Sequence, residues 1–209
     1  LTMFYSSGTT GRPKGIRRPL TGLPPEGALA RTLPLYSGMF GLRAGNGAHL
    51  VCTPLYHAAP GSRAIQMLHL GHRLVLLEKW DSERVLALIE SERIDSVQLV
   101  PILFHRLLQL PQAIRQRYEL SSLRTVIHAA APCPPETKRR MIDWFGPVLH
   151  EYYACSEGGG TYVGSDDWLR RPGTVGRRYP FSKLAILDEG GAELPAGEPG
   201  LIYMNDGFD

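Results

Sequence analysis

Residues 125–145 read TVIHAAAPCPPETKRRMIDWF, and this stretch decides the fold class. It opens on Thr125–His128, a short run rich in β-branched residues, which is typical of a strand. Pro135 then suits the first turn of a helix, and the apolar side chains that follow recur on one side at helical spacing. Gly146 comes directly after them, where helices often end. The stretch therefore predicts a strand that leads into a helix.

The same alternation extends outward in both directions. Helical patterns cover residues 81–92, where Asp81 is a candidate N-cap, and residues 101–110, which begin with a proline. Strand patterns cover residues 3–5, 49–53, 73–77, 96–100, 125–128, 148–152, 183–187 and 201–204. Repeated strand–helix units predict an α/β fold with a largely parallel sheet flanked by helices.

The pattern changes after about Gly158, where helical periodicity stops and glycine-rich turns separate short strands. We therefore expect residues 1–157 to form the α/β part and residues 158–209 a smaller, β-rich continuation of the same domain. The first motif begins at once and the last residues follow a strand, so we expect an interior piece of a longer protein.

Composition excludes several classes of protein. The 209 residues are 43% hydrophobic and 21% charged, which is globular composition, and no apolar run is long enough to cross a bilayer. The net charge of +3 comes from short basic groups, which favour a solvated surface over a nucleic-acid track because no nucleic-acid-binding motif accompanies them. Three widely spaced cysteines argue against a disulfide framework or a structural zinc site, and they favour a reducing, cytoplasmic location.

The most informative motif is YSSGTTGRPKG at residues 5–15. Glycines let backbone N–H groups approach an anion, the hydroxyl residues add donors, and Lys14 adds a positive charge, so a polyphosphate is the natural guest. It is not a Walker A loop, because Pro13 precedes the lysine and Gly15 replaces the hydroxyl residue that would hold magnesium. The alternative is a flexible turn without a ligand.

This loop resembles the phosphate-binding loop of the adenylate-forming superfamily, which includes acyl-CoA synthetases, peptide-synthetase adenylation domains and luciferases. Residues 150–160, HEYYACSEGGG, resemble the Tyr-Gly-x-Ser/Thr-Glu motif of the same family, with Ala154 in place of the usual glycine. The resemblance implies that Tyr153 stacks on adenine, Ser156 touches phosphate and Glu157 holds Mg²⁺. It implies catalytic roles for Lys14 and Glu157.

Two further segments agree with this resemblance. Residues 127–134, IHAAAPCP, resemble the adenine-side segment, although alanines stand where glycines are common, and residues 54–60, PLYHAAP, resemble the segment beside the carboxylate substrate. His57 could instead be only a helix-start residue, and His128 could instead be packed in the core. The implied acyl-side residues are His57, His128 and Gly158. The implied ATP- and AMP-binding residues are Ser6, Ser7, Gly8, Thr9, Thr10, Gly11, Lys14, Ala130, Ala131, Pro132, Tyr153 and Ser156.

The resemblance is strongest to the fatty acyl-CoA synthetase branch. It implies that ATP and Mg²⁺ activate a carboxylic acid to acyl-AMP and that coenzyme A then takes the acyl group. The ribose-binding acid and the C-terminal lysine of the family lie outside this sequence, so we expect the segment alone to be inactive. Two alternatives remain open: another acceptor, such as a carrier-protein thiol or an oxidative reaction, and a non-catalytic ATP- or AMP-binding module.

Overall fold

The computed structural model describes residues 3–6, 11–17, 22–156 and 158–205. It begins with an antiparallel hairpin of β1 (Met3–Ser6) and β2 (Lys14–Arg17). A seven-stranded sheet follows, in the order β4-β3-β5-β6-β7-β8-β9. Its strands are β3 (Ala48–Val51), β4 (Arg73–Leu76), β5 (Ser96–Leu99), β6 (Thr125–His128), β7 (Leu149–Ala154), β8 (Gly160–Gly164) and β9 (Arg177–Arg178).

The central sheet is parallel from β4 through β7, and β8 and β9 add two antiparallel strands at one side. A second antiparallel pair, β10 (Lys183–Leu187) and β11 (Leu201–Asn205), forms its own small sheet. The helices are α1 (Pro25–Phe40), α2 (Ala58–His69), α3 (Ser82–Ser91), α4 (Pro101–Leu108), α5 (Gln112–Arg115), α6 (Pro135–Phe145) and α7 (Ser165–Arg170). The predicted α/β fold with a mostly parallel sheet is confirmed.

The core lies on both faces of the sheet, because helices cover each side of the parallel strands and bury both of their faces. One face packs Leu50, Leu99 and Val126 against residues of α3, α4, α6 and α7. The other face packs Ile127 against Met39, Phe40 and Met67 of α1 and α2, together with a group of aromatic side chains. Every residue of β3, β5 and β6 is buried.

Local sequence signals set several boundaries as predicted. Asp81 is the N-cap of α3, and its side chain accepts a hydrogen bond of 2.7 Å from the backbone N–H of Arg84. Helix α6 spans Pro135–Phe145 and is followed by Gly146. Strands β6 and β10 also have the predicted bounds.

The expectation that helices stop after Gly158 is wrong, because α7 lies between β8 and β9. Its six residues, SDDWLR, are too few for a periodic apolar stripe. Buried Trp168 and Ser165, whose hydroxyl hydrogen-bonds to the backbone of Leu149, hold it to the core. Helices α1 and α2 were not predicted either. Pro34 lies inside α1, and Pro60 and Gly61 lie in the first turns of α2, so composition conceals both helices. Among the described residues, no helix has the length and apolar character needed to span a membrane.

Candidate nucleotide and acyl site

The carboxyl edge of the parallel sheet gathers most of the described site residues. Strands β6 and β7 are adjacent and parallel, with His128 level with Glu151. The chain leaves β6 into residues 129–134 and leaves β7 into Cys155 and Ser156, so both segments emerge at one edge. Ligands of open α/β sheets bind at this edge, outside the ends of the strands. The structure thus brings the adenine-side segment and the Tyr153 motif together.

The adenine-side segment is exposed and has an unusual backbone conformation. Ala130, Ala131 and Pro132 are all exposed, and Ala130 has a φ of 74° in the left-handed region. A residue with a Cβ pays about 1 kcal/mol or more for this conformation, which glycine adopts freely. The alanine therefore keeps the backbone shape that suits a glycine, and the backbone atoms of the segment remain accessible to a ligand.

Tyr153 lies at the end of β7, paired with Thr161 of β8, and 46% of its surface is exposed. An exposed aromatic ring at a strand end can stack on a planar base. Ser156 follows two residues after the strand and is partly buried. Gly158 is buried with a φ of 137°, and its carbonyl accepts a hydrogen bond of 2.9 Å from the Cys155 thiol. The turn after β7 thus depends on a glycine conformation.

His57 stands at the N-terminus of α2, where the chain enters the helix after β3. Its side chain makes no capping hydrogen bond, so it does not stabilise the helix start in the way that a serine or aspartate would. The imidazole is exposed and lies 4.5 Å, centroid to centroid, from the ring of Tyr56. It is available to a ligand.

His128 is fully buried at the end of β6. Its ring packs edge-on against Phe104 at 5.0 Å, and its Nε2 lies 3.8 Å from the Glu151 carboxylate. Burial, with smaller contributions from the charges of Lys138 and His150, lowers the pKa of His128 to about 3. The imidazole is therefore neutral at physiological pH and is packed in the core below the edge.

A buried ion pair that the sequence patterns did not predict lies beside His128. Lys138 Nζ on α6 donates a 2.6 Å hydrogen bond to Glu151 Oε2 on β7, and the ammonium lies 4.9 Å from the ring centroid of Trp168. Burial lowers the pKa of Lys138, while the Glu151 carboxylate acts in the opposite direction. A signal was present, because Lys138 shares the apolar stripe of α6 with Met141 and Ile142.

The phosphate loop is described only in part. Ser6 of β1 pairs in register with Lys14 of β2, and Lys14 is exposed. Gly11 has a φ of 80°, so this turn needs a glycine. The predicted residues that lie outside the described part of the chain are Ser7, Gly8, Thr9, Thr10 and Glu157. Within the described strands, the hairpin forms a sheet separate from the seven-stranded one.

A second feature lies at the opposite edge of the sheet. A groove of about 560 Å³ is formed where the strands begin, and its lining includes Arg43, Arg73, Arg124 and Asp95. Because the groove opens at the amino ends of the strands, it is separate from the candidate site. In the described part of the chain, no group of three or more His, Cys, Asp or Glu residues is arranged to hold a metal ion.

Comparison with known proteins agrees with this geometry. The chain is 33% identical over 206 residues to the medium/long-chain-fatty-acid–CoA ligase FadD8 of Mycobacterium tuberculosis, a match that covers 97% of this chain and 34% of the relative. It is 28% identical over 188 residues to the luciferin 4-monooxygenase of Luciola mingrelica, covering 89% of this chain and 33% of that protein.

Among solved structures, the amide bond synthetase McbA from Marinactinospora thermotolerans superposes with a TM-score of 0.85 at 31% identity. This match covers 99% of the present chain and 40% of McbA. The chain thus spans about a third of the length of the curated relatives it matches. The family model described as AMP-binding enzyme matches residues 1–206. On the strength of that match, the chain belongs to the AMP-binding enzyme family.

Proposed function

We propose that the protein activates a carboxylic acid with ATP to form acyl-AMP and then transfers the acyl group to coenzyme A. The observation that carries the proposal is the pairing of an exposed adenine-side segment with the exposed ring of Tyr153 at one edge of the sheet. The similarity to FadD8, which is named as a fatty-acid–CoA ligase, supports a fatty acid as substrate.

The chemistry has two steps. A carboxylate oxygen attacks the α-phosphorus of ATP and pyrophosphate leaves; the thiolate of coenzyme A then attacks the acyl carbon and AMP leaves. No side chain needs to act as a nucleophile, so catalysis depends on positioning and on neutralising charge. The exposed ammonium of Lys14 and the backbone N–H groups of residues 6–11 would bind the β- and γ-phosphates. Tyr153 would stack on adenine beside residues 130–132, with Ser156 near the phosphates.

The acyl side of the proposed site follows from the elements around it. His57 would border the carboxylate, because its exposed ring stands at the start of α2, after β3 reaches the same sheet edge. His128 and Gly158 would form part of the floor of this region from their buried positions. The roles of His57, His128 and Gly158 are part of this proposal, as is the division of the domain into residues 1–157 and 158–209.

In this proposal, the carboxylate of Glu157 would bind Mg²⁺. A carboxylate is a hard oxygen ligand of the kind that Mg²⁺ prefers, and this ion is bound in proteins mostly by one or two carboxylates together with phosphates and waters. When bound, it would offset negative charge on the ATP phosphates. The three free cysteines, Cys52, Cys133 and Cys155, are compatible with the proposed cytoplasmic location.

A different acceptor is the second candidate, because the relatives differ after the adenylate. McbA is named as an amide bond synthetase, which suggests an amine acceptor, and the Luciola relative is named as a monooxygenase. A carrier-protein thiol is a further acceptor of the same chemical kind as coenzyme A. These alternatives share the first step and differ only in the second.

The experiment is carboxylate-dependent exchange between ATP and labelled pyrophosphate in the full-length protein, with a panel of short to long acids. Exchange with acids, followed by thioester only when coenzyme A is added, is the expected result. Acyl-adenylate that accumulates with coenzyme A and disappears with an amine would favour the amide alternative. ATP binding without exchange for any acid would contradict the proposal and favour a non-catalytic nucleotide-binding module.

A further inference from the structure

Arg63 is a buried cation on the second turn of α2, on the face that packs against the sheet. Only 6% of its surface is exposed, and its guanidinium carbon lies 4.7 Å from the ring centroid of Phe40. Such a stacked arrangement holds the planar group in one orientation. Arginine is almost never buried in this way unless it is paired.

The guanidinium has no carboxylate partner among the described residues. Its one hydrogen bond runs from Nη1 to Gln66 Oε1 at 2.7 Å, and its buried Nε has no acceptor. The titratable side chains around it are tyrosines and histidines, none of which carries a negative charge at neutral pH: Tyr36, His49, His150, Tyr152 and Tyr179. A desolvated charge in such surroundings is costly, so the site calls for an anion.

The surroundings of Arg63 also contain unmatched hydrogen-bonding atoms. Gln98 Oε1 and His150 Nδ1 are buried without partners, while Gln98 Nε2 donates a 3.2 Å hydrogen bond to the Tyr152 hydroxyl. The rings of His150 and Tyr152 pack edge-on against the ring of Phe40, at centroid distances of 6.2 and 5.9 Å. The guanidinium of Arg63 stacks on that same ring. Arg63 and these polar atoms therefore share one environment, and several of their hydrogen-bonding sites are left unfilled.

This environment adjoins the proposed acyl side. Helix α2 begins directly after His57, and Arg63 follows six residues later, which is about 9 Å along a helix axis. Tyr152 immediately precedes Tyr153, so the strand that would carry the adenine-stacking ring also contributes to the wall around Arg63. An acid with its reacting carboxylate near His57 could extend its far end along α2.

We propose that Arg63 binds a second carboxylate, carried by the acid at the end remote from the one that is activated. This inference rests on the proposed function and narrows its substrate class from fatty acids to dicarboxylic acids. The unpartnered Nε lies on a different edge of the guanidinium from the bond to Gln66, and arginine binds carboxylates best through two parallel N–H groups. A neutral acyl chain would leave that edge unfilled.

The test is acid-dependent ATP–pyrophosphate exchange in the full-length protein, with monocarboxylates and dicarboxylates of matched length. The unsubstituted protein should prefer the dicarboxylates in kcat/KM. Arg63→Met should lower kcat/KM for dicarboxylates by about 10- to 100-fold, the range of a lost hydrogen bond to a charged group, and change the monocarboxylate values little. Arg63→Lys keeps the positive charge but lacks the two parallel N–H groups of the guanidinium. Its kcat/KM for dicarboxylates should lie between those of the unsubstituted protein and Arg63→Met. Arg84→Met removes an exposed arginine from α3 and serves as the control.

A second measurement separates a substrate partner from an internal one. If the natural partner is the substrate, Arg63→Met removes an unpaired buried charge, and the melting temperature of the ligand-free protein should stay equal or rise. A marked fall would mean that the internal contacts with Gln66 and Phe40 already offset the burial of the charge without a substrate anion, which would overturn the proposal.

The exchange results have equally separate meanings. Exchange with monocarboxylates that matches or exceeds that with dicarboxylates would contradict this inference and leave the proposed function standing. The same holds if Arg63→Met lowers both acid classes equally. No exchange with any acid would overturn the proposed function and, with it, the assignment of Arg63.

Discussion

At the scale of single residues, Lys14 and Lys138 have the same side chain in opposite environments. Lys14 is exposed on a hairpin strand, whereas Lys138 is fully buried against Glu151 and Trp168. An exposed lysine contributes little to stability. Because it is exposed, its ammonium group is accessible to a ligand. A buried lysine needs its partner, and its contribution is to the fold.

We expect Lys14→Ala to lower kcat/KM for ATP in acid activation by roughly 10- to 100-fold, because one charge-assisted contact to phosphate is lost. The free energy of unfolding should change by no more than about 0.5 kcal/mol. Exchange kinetics and urea unfolding measure the two effects. Lys79→Ala, another exposed lysine, is the matched control and should alter neither. Normal ATP kinetics in Lys14→Ala would remove this residue from the site.

At the scale of elements, the Lys138–Glu151 pair joins α6 to β7. Helix α6 follows the adenine-side segment, and β7 leads to Tyr153, so the pair connects the supports of both walls of the proposed nucleotide site. The connection lies in the core and away from the ligand. The ion pair holds α6 against β7 and so positions the adenine-side segment, which precedes α6, relative to Tyr153 at the end of β7.

Lys138→Met should lower the free energy of unfolding by about 3 to 5 kcal/mol, because Glu151 is left charged and nearly buried. The double variant Lys138→Met, Glu151→Gln should recover much of that loss, since neither charge remains. Denaturant unfolding of the double variant and of each single variant, Lys138→Met and Glu151→Gln, gives the coupling energy. Arg117→Met is the control: it breaks an exposed ion pair with Glu83 and should cost less than about 1 kcal/mol. Additive effects of the two core substitutions would contradict this account.

At the scale of the whole molecule, the desolvation of three histidine rings makes the stability of the fold depend on pH. Burial is the main cause that lowers the pKa of His49 and His128 to about 3 and that of His150 to about 4. In the unfolded chain the pKa of a histidine is about 6.5, so below that pH the unfolded state binds more protons than the folded state. The free energy of unfolding therefore falls as the pH drops from about 6.5 towards the folded pKa values.

Each of these histidines should contribute a loss of about 1.4 kcal/mol per pH unit in this window. Unfolding in urea between about pH 7.5 and about pH 5 measures the slope. His128→Leu should reduce the slope by about one proton, whereas Arg84→Met, which removes an exposed arginine and no histidine, should leave it unchanged. An unchanged slope in His128→Leu would mean that His128 is protonated in the folded protein.

Much of the fold follows from local sequence, because the signals that set those elements lie within them. The β-branched runs predicted the parallel strands, and Asp81, Pro135 and Gly146 predicted helix boundaries that the structure confirms. Helices with internal proline or too few residues, such as α1, α2 and α7, were missed, because tertiary packing of Phe40, Met67 and Trp168 holds them in place.

The sequence by itself determined the family resemblance and the identity of the candidate site residues, since these depend on short motifs that read alike in any fold. Only the tertiary structure decided which side chains are desolvated and with whom they are paired. Residues 128, 138 and 151 come together from two strands and a helix, and Arg63 meets aromatic rings from α1 and β7. The physical reason is that burial and charge pairing depend on distances between segments far apart in the chain, which no local pattern specifies.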